Sequence, residues 1–138
     1  MKSVLVKDHM TRNVLSLDPN LELSAATQML IAHNISGAPV LYQHGRLVGI
    51  LTERDCLMVA MQAGYHDIPY GLVQDYMSTE PESVAPEQSI LTLAEKFIRG
   101  RFHRYPVVDN GRLVGIISRR DVMRAMGKHQ TPEEVRTH

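Results

Sequence analysis

The sequence predicts an α/β fold made of two copies of one small unit. Each copy is a three-stranded sheet with two helices, and the two pack about a pseudo-twofold axis. Three observations carry this expectation: an internal repeat, a helix-face spacing found once in each copy, and a hairpin signal found once in each copy. Residues 45–55 read GRLVGILTERD and residues 111–121 read GRLVGIISRRD, identical at eight of eleven positions. The offset is 66 there and 67 upstream, where Val6, Asp8, Met10 and Pro19 match Val73, Asp75, Met77 and Pro86. The one-residue difference falls in the turn, YQHG against VDNG, where a change of length costs least. Two copies of so long a period are not a solenoid but a duplicated small domain.

The elements follow in the same order in each copy. A lead-in segment ends at Met10 or Met77 and is followed by a brief extended stretch, Val14-Leu15 or Ser83-Val84, and then by Pro19 or Pro86. Next comes a helix with apolar residues at i, i+3, i+4 and i+7: Leu23, Ala26, Thr27 and Leu30, then Ile90, Leu93, Ala94 and Phe97. That spacing lines one helix face. Ser89 suits the N-cap of the second of these helices, and Glu22 is a poorer cap for the first. Two β-branched runs follow, Pro39–Tyr42 with Leu47–Leu51 and Pro106–Val108 with Leu113–Ile117. His44-Gly45 and Asn110-Gly111 separate them as hairpin turns. A last helix begins after Thr52 or Ser118 and carries Cys56, Val59 and Ala60, or Val122, Ala125 and Met126. A unit of about 60 residues is marginal alone, so pairing would bury the exposed sheet faces. The expected division is 1–66 for the first domain with its lead-in segment, 67–127 for the second, and 128–138 for a polar tail that frays. The stretch Gly64–Leu72 reads as the connector.

Composition excludes several classes. Fifteen Lys and Arg against fifteen Asp and Glu give zero formal net charge, whereas a dedicated nucleic-acid binder has a domain pI above about 9. Hydrophobic residues at 43% argue against disorder. Cys56 is the one cysteine, so neither an intramolecular disulfide nor a multi-Cys zinc site fits. No apolar run approaches the roughly 18–20 residues of a membrane helix, and the N-terminal residues do not read as a signal peptide. The expected location is the cytoplasm, with no membrane partner. The seven histidines lack metal-ligand spacing, and no phosphate loop, dinucleotide fingerprint or nucleophile elbow occurs. The reading is therefore a non-enzyme with no catalytic residues, metal or catalytic cofactor.

With DHMT (Asp8–Thr11) and DYMS (Asp75–Ser78), Ala38-Pro39-Val40 and Tyr105-Pro106-Val107, GILTERD (Gly49–Asp55) and GIISRRD (Gly115–Asp121), the chain resembles a tandem pair of CBS (cystathionine β-synthase) domains from about Val4 to Met126. The resemblance implies a regulatory ligand-sensing module that binds an adenosine-containing nucleotide in the cleft between its two repeats. AMP, ADP and ATP stand ahead of S-adenosylmethionine. It also implies a homodimer, a disc of four CBS domains, acting on an unidentified protein target. The family's ribose-binding aspartate corresponds to Asp55 and Asp121, and its phosphate-side hydroxyl to Thr52 and Ser118. Its pocket wall falls on Ser36, Gly37, Ala38 and Pro39, and on His103, Arg104, Tyr105 and Pro106.

The chemistry is sensible on the residues alone. A carboxylate can accept both hydroxyls of a cis-diol, and a hydroxyl at a helix N-terminus stands where free N–H groups favour phosphate. The same T-x-x-D and S-x-x-D spacing also reads as a capping box that stabilises its helix by about 1 kcal/mol with no ligand. Both readings stand. The alternative function is accordingly a ligand-free dimerisation or partner-docking module. Between Arg99 and Arg124 the chain holds seven arginines against two aspartates, a local excess of five positive charges, while the matching window Ala32–Met58 sums to zero. Arg104 and Arg120 are the favoured phosphate contacts, beside His103; Arg99, Arg112 and Arg124 read as solvated charge. Nucleic acid is disfavoured, because two Phe and no Trp leave few stacking platforms. Cys56 reads as a buried small hydrophobe, and Met29, Met58, Met61, Met123 and Met126 as core fillers.

Overall fold

A computed structural model describes residues 3–64 and 71–127. Most of the connector expected at Gly64–Leu72 and the whole tail 128–138 lie outside these residues, as do His66, His129 and His138. The described chain forms two compact units, one of Val14–Pro81 with Gly111–Leu113, the other of the residues up to Asn13 with Glu82–Asn110 and the residues from Val114 onward.

In the first unit, helix α1 (Leu23–Ala32) buries Leu23, Ala26 and Leu30, the spacing read from the sequence. Thr27 is half-buried, and its hydroxyl donates to the Leu23 carbonyl at 2.9 Å, a bond that lets a polar side chain sit on this face. Strands β1 (Gly37–Tyr42) and β2 (Arg46–Thr52) form the expected antiparallel hairpin, with Gly37 opposite Thr52 and Tyr42 opposite Arg46. His44 and Gly45 have φ of 62° and 77° in the turn, left-handed geometry that suits glycine. The additional turn residue of this copy is accompanied by a register shift between Val40 and Leu41. Helix α2 (Glu53–Ala63) buries Cys56 and Val59. The lead-in segment of the second repeat belongs to this unit: the short helix α3 (Val73–Tyr76) buries Val73, and β3 (Ser78–Thr79) pairs antiparallel with β2. Leu17, just beyond the expected Val14-Leu15, adds a parallel bridge to Val40.

The second unit repeats the scheme. Helix α4 (Ile90–Arg99) buries Ile90, Leu93 and Phe97, and the Ser89 hydroxyl caps it by accepting the Leu91 N–H at 3.1 Å. Strands β4 (Arg104–Asp109) and β5 (Arg112–Ser118) are neighbours, joined through Asn110 and Gly111 with φ of 52° and 81°. Helix α5 (Arg119–Gly127) buries Val122 and Ala125. The chain's first lead-in segment belongs here. Thr11 and Ile116 exchange both backbone bonds at 2.8 and 2.9 Å, and the Lys7 N–H donates to the Pro86 carbonyl at 2.8 Å.

One glycine in each unit admits the lead-in segment. A Cβ on Gly49 would stand 2.5 Å from Met77 Sδ and 2.8 Å from the Ser78 carbonyl oxygen. On Gly115 it would stand 2.8 Å both from Met10 Sδ and from the Thr11 carbonyl oxygen. The repeated G-I of GILTERD and GIISRRD thus marks a close backbone crossing.

The methionine expectation needs correction. Met58, Met61, Met123 and Met126 are exposed rather than core, while Met29, with Met10 and Met77, packs against the buried clusters. On α2 and α5 the core face is filled by Cys56 with Val59 and by Val122 with Ala125, so methionines elsewhere on those helices face out. Cys56 is buried as expected.

Candidate ligand-binding caps

Each candidate site grows from the junction of the hairpin's second strand with the unit's last helix. Thr52 is still extended, with φ −114° and ψ 162°, and α2 starts at the next residue. Its hydroxyl oxygen accepts the Asp55 N–H at 3.2 Å, and Asp55 Oδ2 accepts the Thr52 N–H and the Thr52 hydroxyl, both at 2.9 Å. Ser118 and Asp121 repeat the box: Ser118 Oγ accepts the Asp121 N–H at 3.1 Å, and Asp121 Oδ2 accepts the Ser118 N–H at 2.9 Å. The capping reading is therefore physically realised in both copies.

The pocket-wall residues come to these caps through the backbone. The Glu53 N–H donates to the Ser36 carbonyl at 2.8 Å, and the Arg119 N–H to the His103 carbonyl at 3.0 Å. With the Asp55 and Asp121 N–H groups taken by the cap hydroxyls, the Arg54 and Arg120 N–H groups are the ones in the first turns without a protein acceptor among the described residues. Gly37 lies opposite Thr52, where a Cβ would meet Thr52 Cγ2 at 3.3 Å. The second copy has Arg104 at the equivalent place and Ser118, which lacks that methyl, at the cap.

Exposure sorts the remaining residues. His103, Arg104 and Arg120 are exposed, Thr52, Asp55, Ser118, Asp121 and Gly37 are half-buried, and Ala38, Pro39, Tyr105 and Pro106 are buried. The Tyr105 ring belongs to the core of its unit, 5.1 Å from the Phe97 ring and 5.7 Å from the edge-on Phe102 ring. Lys96 Nζ lies 4.8 Å from its centroid and is paired to Glu82 at 2.9 Å. Burial pushes the Tyr105 phenol above its ordinary pKa; the Glu82 carboxylate adds to this and Lys96 opposes it.

The two caps differ in two contacts. The Thr52 hydroxyl bonds the Asp55 carboxylate, with no such bond from Ser118 to Asp121 among the described residues. An arginine also reaches the second cap, a contact that sequence reasoning missed. Arg124, taken as solvated charge, donates to Asp121 Oδ1 at 3.2 Å, and the carboxylate side chain is 11% exposed. The i,i+3 spacing on a helix was the available signal. The first copy has Met58 at the matching position, and Asp55 Oδ1 has no partner among the described residues.

Two duplicated α/β units, each ending its hairpin in a hydroxyl–carboxylate cap, define a tandem CBS pair. The CBS domain family model matches residues 6–61 and 73–128, and the chain belongs to that family. CBS domain-containing protein YhcV of Bacillus subtilis is 35% identical over 118 residues, 85% of this chain and 81% of that protein. Inosine-5'-monophosphate dehydrogenase of Thermoplasma acidophilum is 32% identical over 113 residues, 81% of this chain but 21% of the enzyme. The chain likewise spans 42% of the uncharacterized protein MJ1225 of Methanocaldococcus jannaschii. Among solved structures, CBSX2 in complex with AMP matches with a TM-score of 0.80 at 26% identity, covering 94% of this chain and all of that one. The CBS domain pair of MJ0100, in complex with 5-methylthioadenosine and S-adenosyl-L-methionine, matches with a TM-score of 0.74 at 28% identity over 91% and 98% of the two chains. No helix among the described residues is long and apolar enough to cross a membrane.

Proposed function

We propose that this chain is a regulatory, non-catalytic module that binds an adenosine-containing nucleotide, AMP, ADP or ATP ahead of S-adenosylmethionine, with the two caps as its anchors. Asp55 and Asp121 accept the ribose hydroxyls. Thr52 and Ser118, with the open first-turn N–H groups, face the phosphate, and His103, Arg104 and Arg120 supply positive charge on the second copy. The pocket wall is Gly37, Ala38 and Pro39 in one copy and Tyr105 and Pro106 in the other, the buried ones serving through their backbone. The observation that carries this reading is the twin cap itself. Each brings a carboxylate, a hydroxyl and a pocket-wall carbonyl to one helix start, in a chain similar to CBS pairs bound to AMP, 5-methylthioadenosine and S-adenosyl-L-methionine.

Thermal unfolding with AMP, ADP, ATP and S-adenosylmethionine tests the proposal. A bound ligand at a hundred times its Kd adds about 2.7 kcal/mol of stability. The expected result is a raised midpoint with at least one of the four. No shift with any of them at millimolar concentration contradicts the proposal and favours a ligand-free dimerisation or docking module, in which the aspartates serve only as caps.

A further inference from the structure

Two arginines stand opposite one another in the unit of the first repeat. Arg46 opens β2, Arg112 opens β5, and the two are register partners, with the Leu47 N–H donating to the Gly111 carbonyl beside them at 3.1 Å. Arg46 also pairs with Tyr42 of β1, so Tyr42, Arg46 and Arg112 make one row across three strands. The left-handed turns at His44-Gly45 and Asn110-Gly111 set this placement, since each delivers an arginine as the first residue of the returning strand. Directly paired residues of an antiparallel ladder share a face with Cβ atoms about 4.5–5.5 Å apart, and like charges placed so destabilise the sheet. All three row members are exposed. Among the described residues the ion pairs are Lys96–Glu82 and Arg124–Asp121, so no carboxylate there neutralises either arginine, Asp109 at the end of neighbouring β4 included.

We infer that Arg46 and Arg112 form an oxyanion site for a phosphate-type dianion, to which Tyr42 adds a hydroxyl donor. Two guanidinium forks on one dianion replace a repulsion by charge-assisted hydrogen bonds. The site is distinct from the caps. Thr52 ends β2 and Ser118 ends β5, each six residues along a strand from its arginine, about 20 Å at the rise of a strand.

The probe is inorganic phosphate against chloride at matched ionic strength, read as the thermal midpoint. General salting effects act on every variant alike, so the comparison between variants is what counts. The wild-type midpoint is expected to rise by about 3 °C or more at phosphate well above its Kd. Arg46→Gln and Arg112→Gln remove that rise, while Arg99→Gln, which takes away an exposed arginine outside the row, keeps it. Arg46→Glu, which places opposite charges face to face, raises the midpoint in chloride by about 1–3 °C and abolishes the phosphate response. An equal phosphate rise in wild type and both Gln variants overturns the inference, as does an Arg46→Glu protein less stable than wild type in chloride.

Discussion

At the scale of single residues, the account rests on side chains whose size or charge is dictated by one close neighbour. Gly49 and Gly115 are the clearest, because backbone oxygen and methionine sulfur occupy the space where a Cβ would go. Gly49→Ala and Gly115→Ala are each expected to cost about 1–3 kcal/mol, the range for forcing volume into a packed site. Urea unfolding checks this, and a cost below a few tenths would contradict the close crossing. Tyr105 supplies a pH dependence. Its folded pKa is raised, chiefly by burial, so the unfolded chain releases the phenolic proton first as pH rises. The stabilisation is complete below the ordinary value near 10 and is lost as pH climbs through the folded value. Tyr105→Phe should therefore lose less stability than wild type between pH 9 and 11, taken as roughly one unit on either side of the ordinary value. Identical alkaline slopes for the two proteins would refute the assignment.

At the scale of elements, much was legible because the signals are local. The i, i+3, i+4, i+7 spacing names the buried face of α1 and α4, Asn110-Gly111 names the second hairpin turn, and Ser89 names its helix cap. Both capping boxes also follow from spacing, since a hydroxyl and a carboxylate three residues apart at a helix start can reach each other's N–H groups. What was not legible depends on partners distant in sequence or on rotation about a helix axis. The pairing of Met10 with Gly115 and of Met77 with Gly49 needs the chain's return path. The outward methionines of α2 and α5 were misread because apolar residues on two faces of a short helix do not announce which face meets the core. Arg124 closing on Asp121 was hidden by its place in a run of arginines. That contact makes the two caps unequal, one carboxylate oxygen being open on Asp55 and engaged on Asp121.

At the scale of the whole molecule, the repeat in sequence and the grouping in space differ in one respect. Residues 3–13 pack with the body of the second repeat and residues 71–79 with that of the first, so each compact unit draws on both halves of the chain. The zero net charge is likewise an average: each copy sums to zero, and in the second an acidic stretch, residues 67–95, offsets the arginine-rich stretch 99–124. The exposed Leu57, Met58 and Met61 on α2 and Met123 and Met126 on α5 suit the homodimer that the resemblance to CBS pairs implies, since apolar side chains gathered on helix faces mark interaction surfaces. Light scattering is expected to give a dimer for wild type and a monomer for Met61→Glu combined with Met123→Glu. A wild-type monomer at every concentration would contradict the pairing.

The central claim, that the twin caps anchor a nucleotide, is tested most directly by calorimetric titration of AMP into wild type and into the Asp55→Ala/Asp121→Ala protein, with folding of both checked by circular dichroism. The account expects saturable binding to wild type and its loss in the folded double variant. Unchanged binding after both carboxylates are removed, or no binding to wild type by AMP, ADP or ATP, would contradict it.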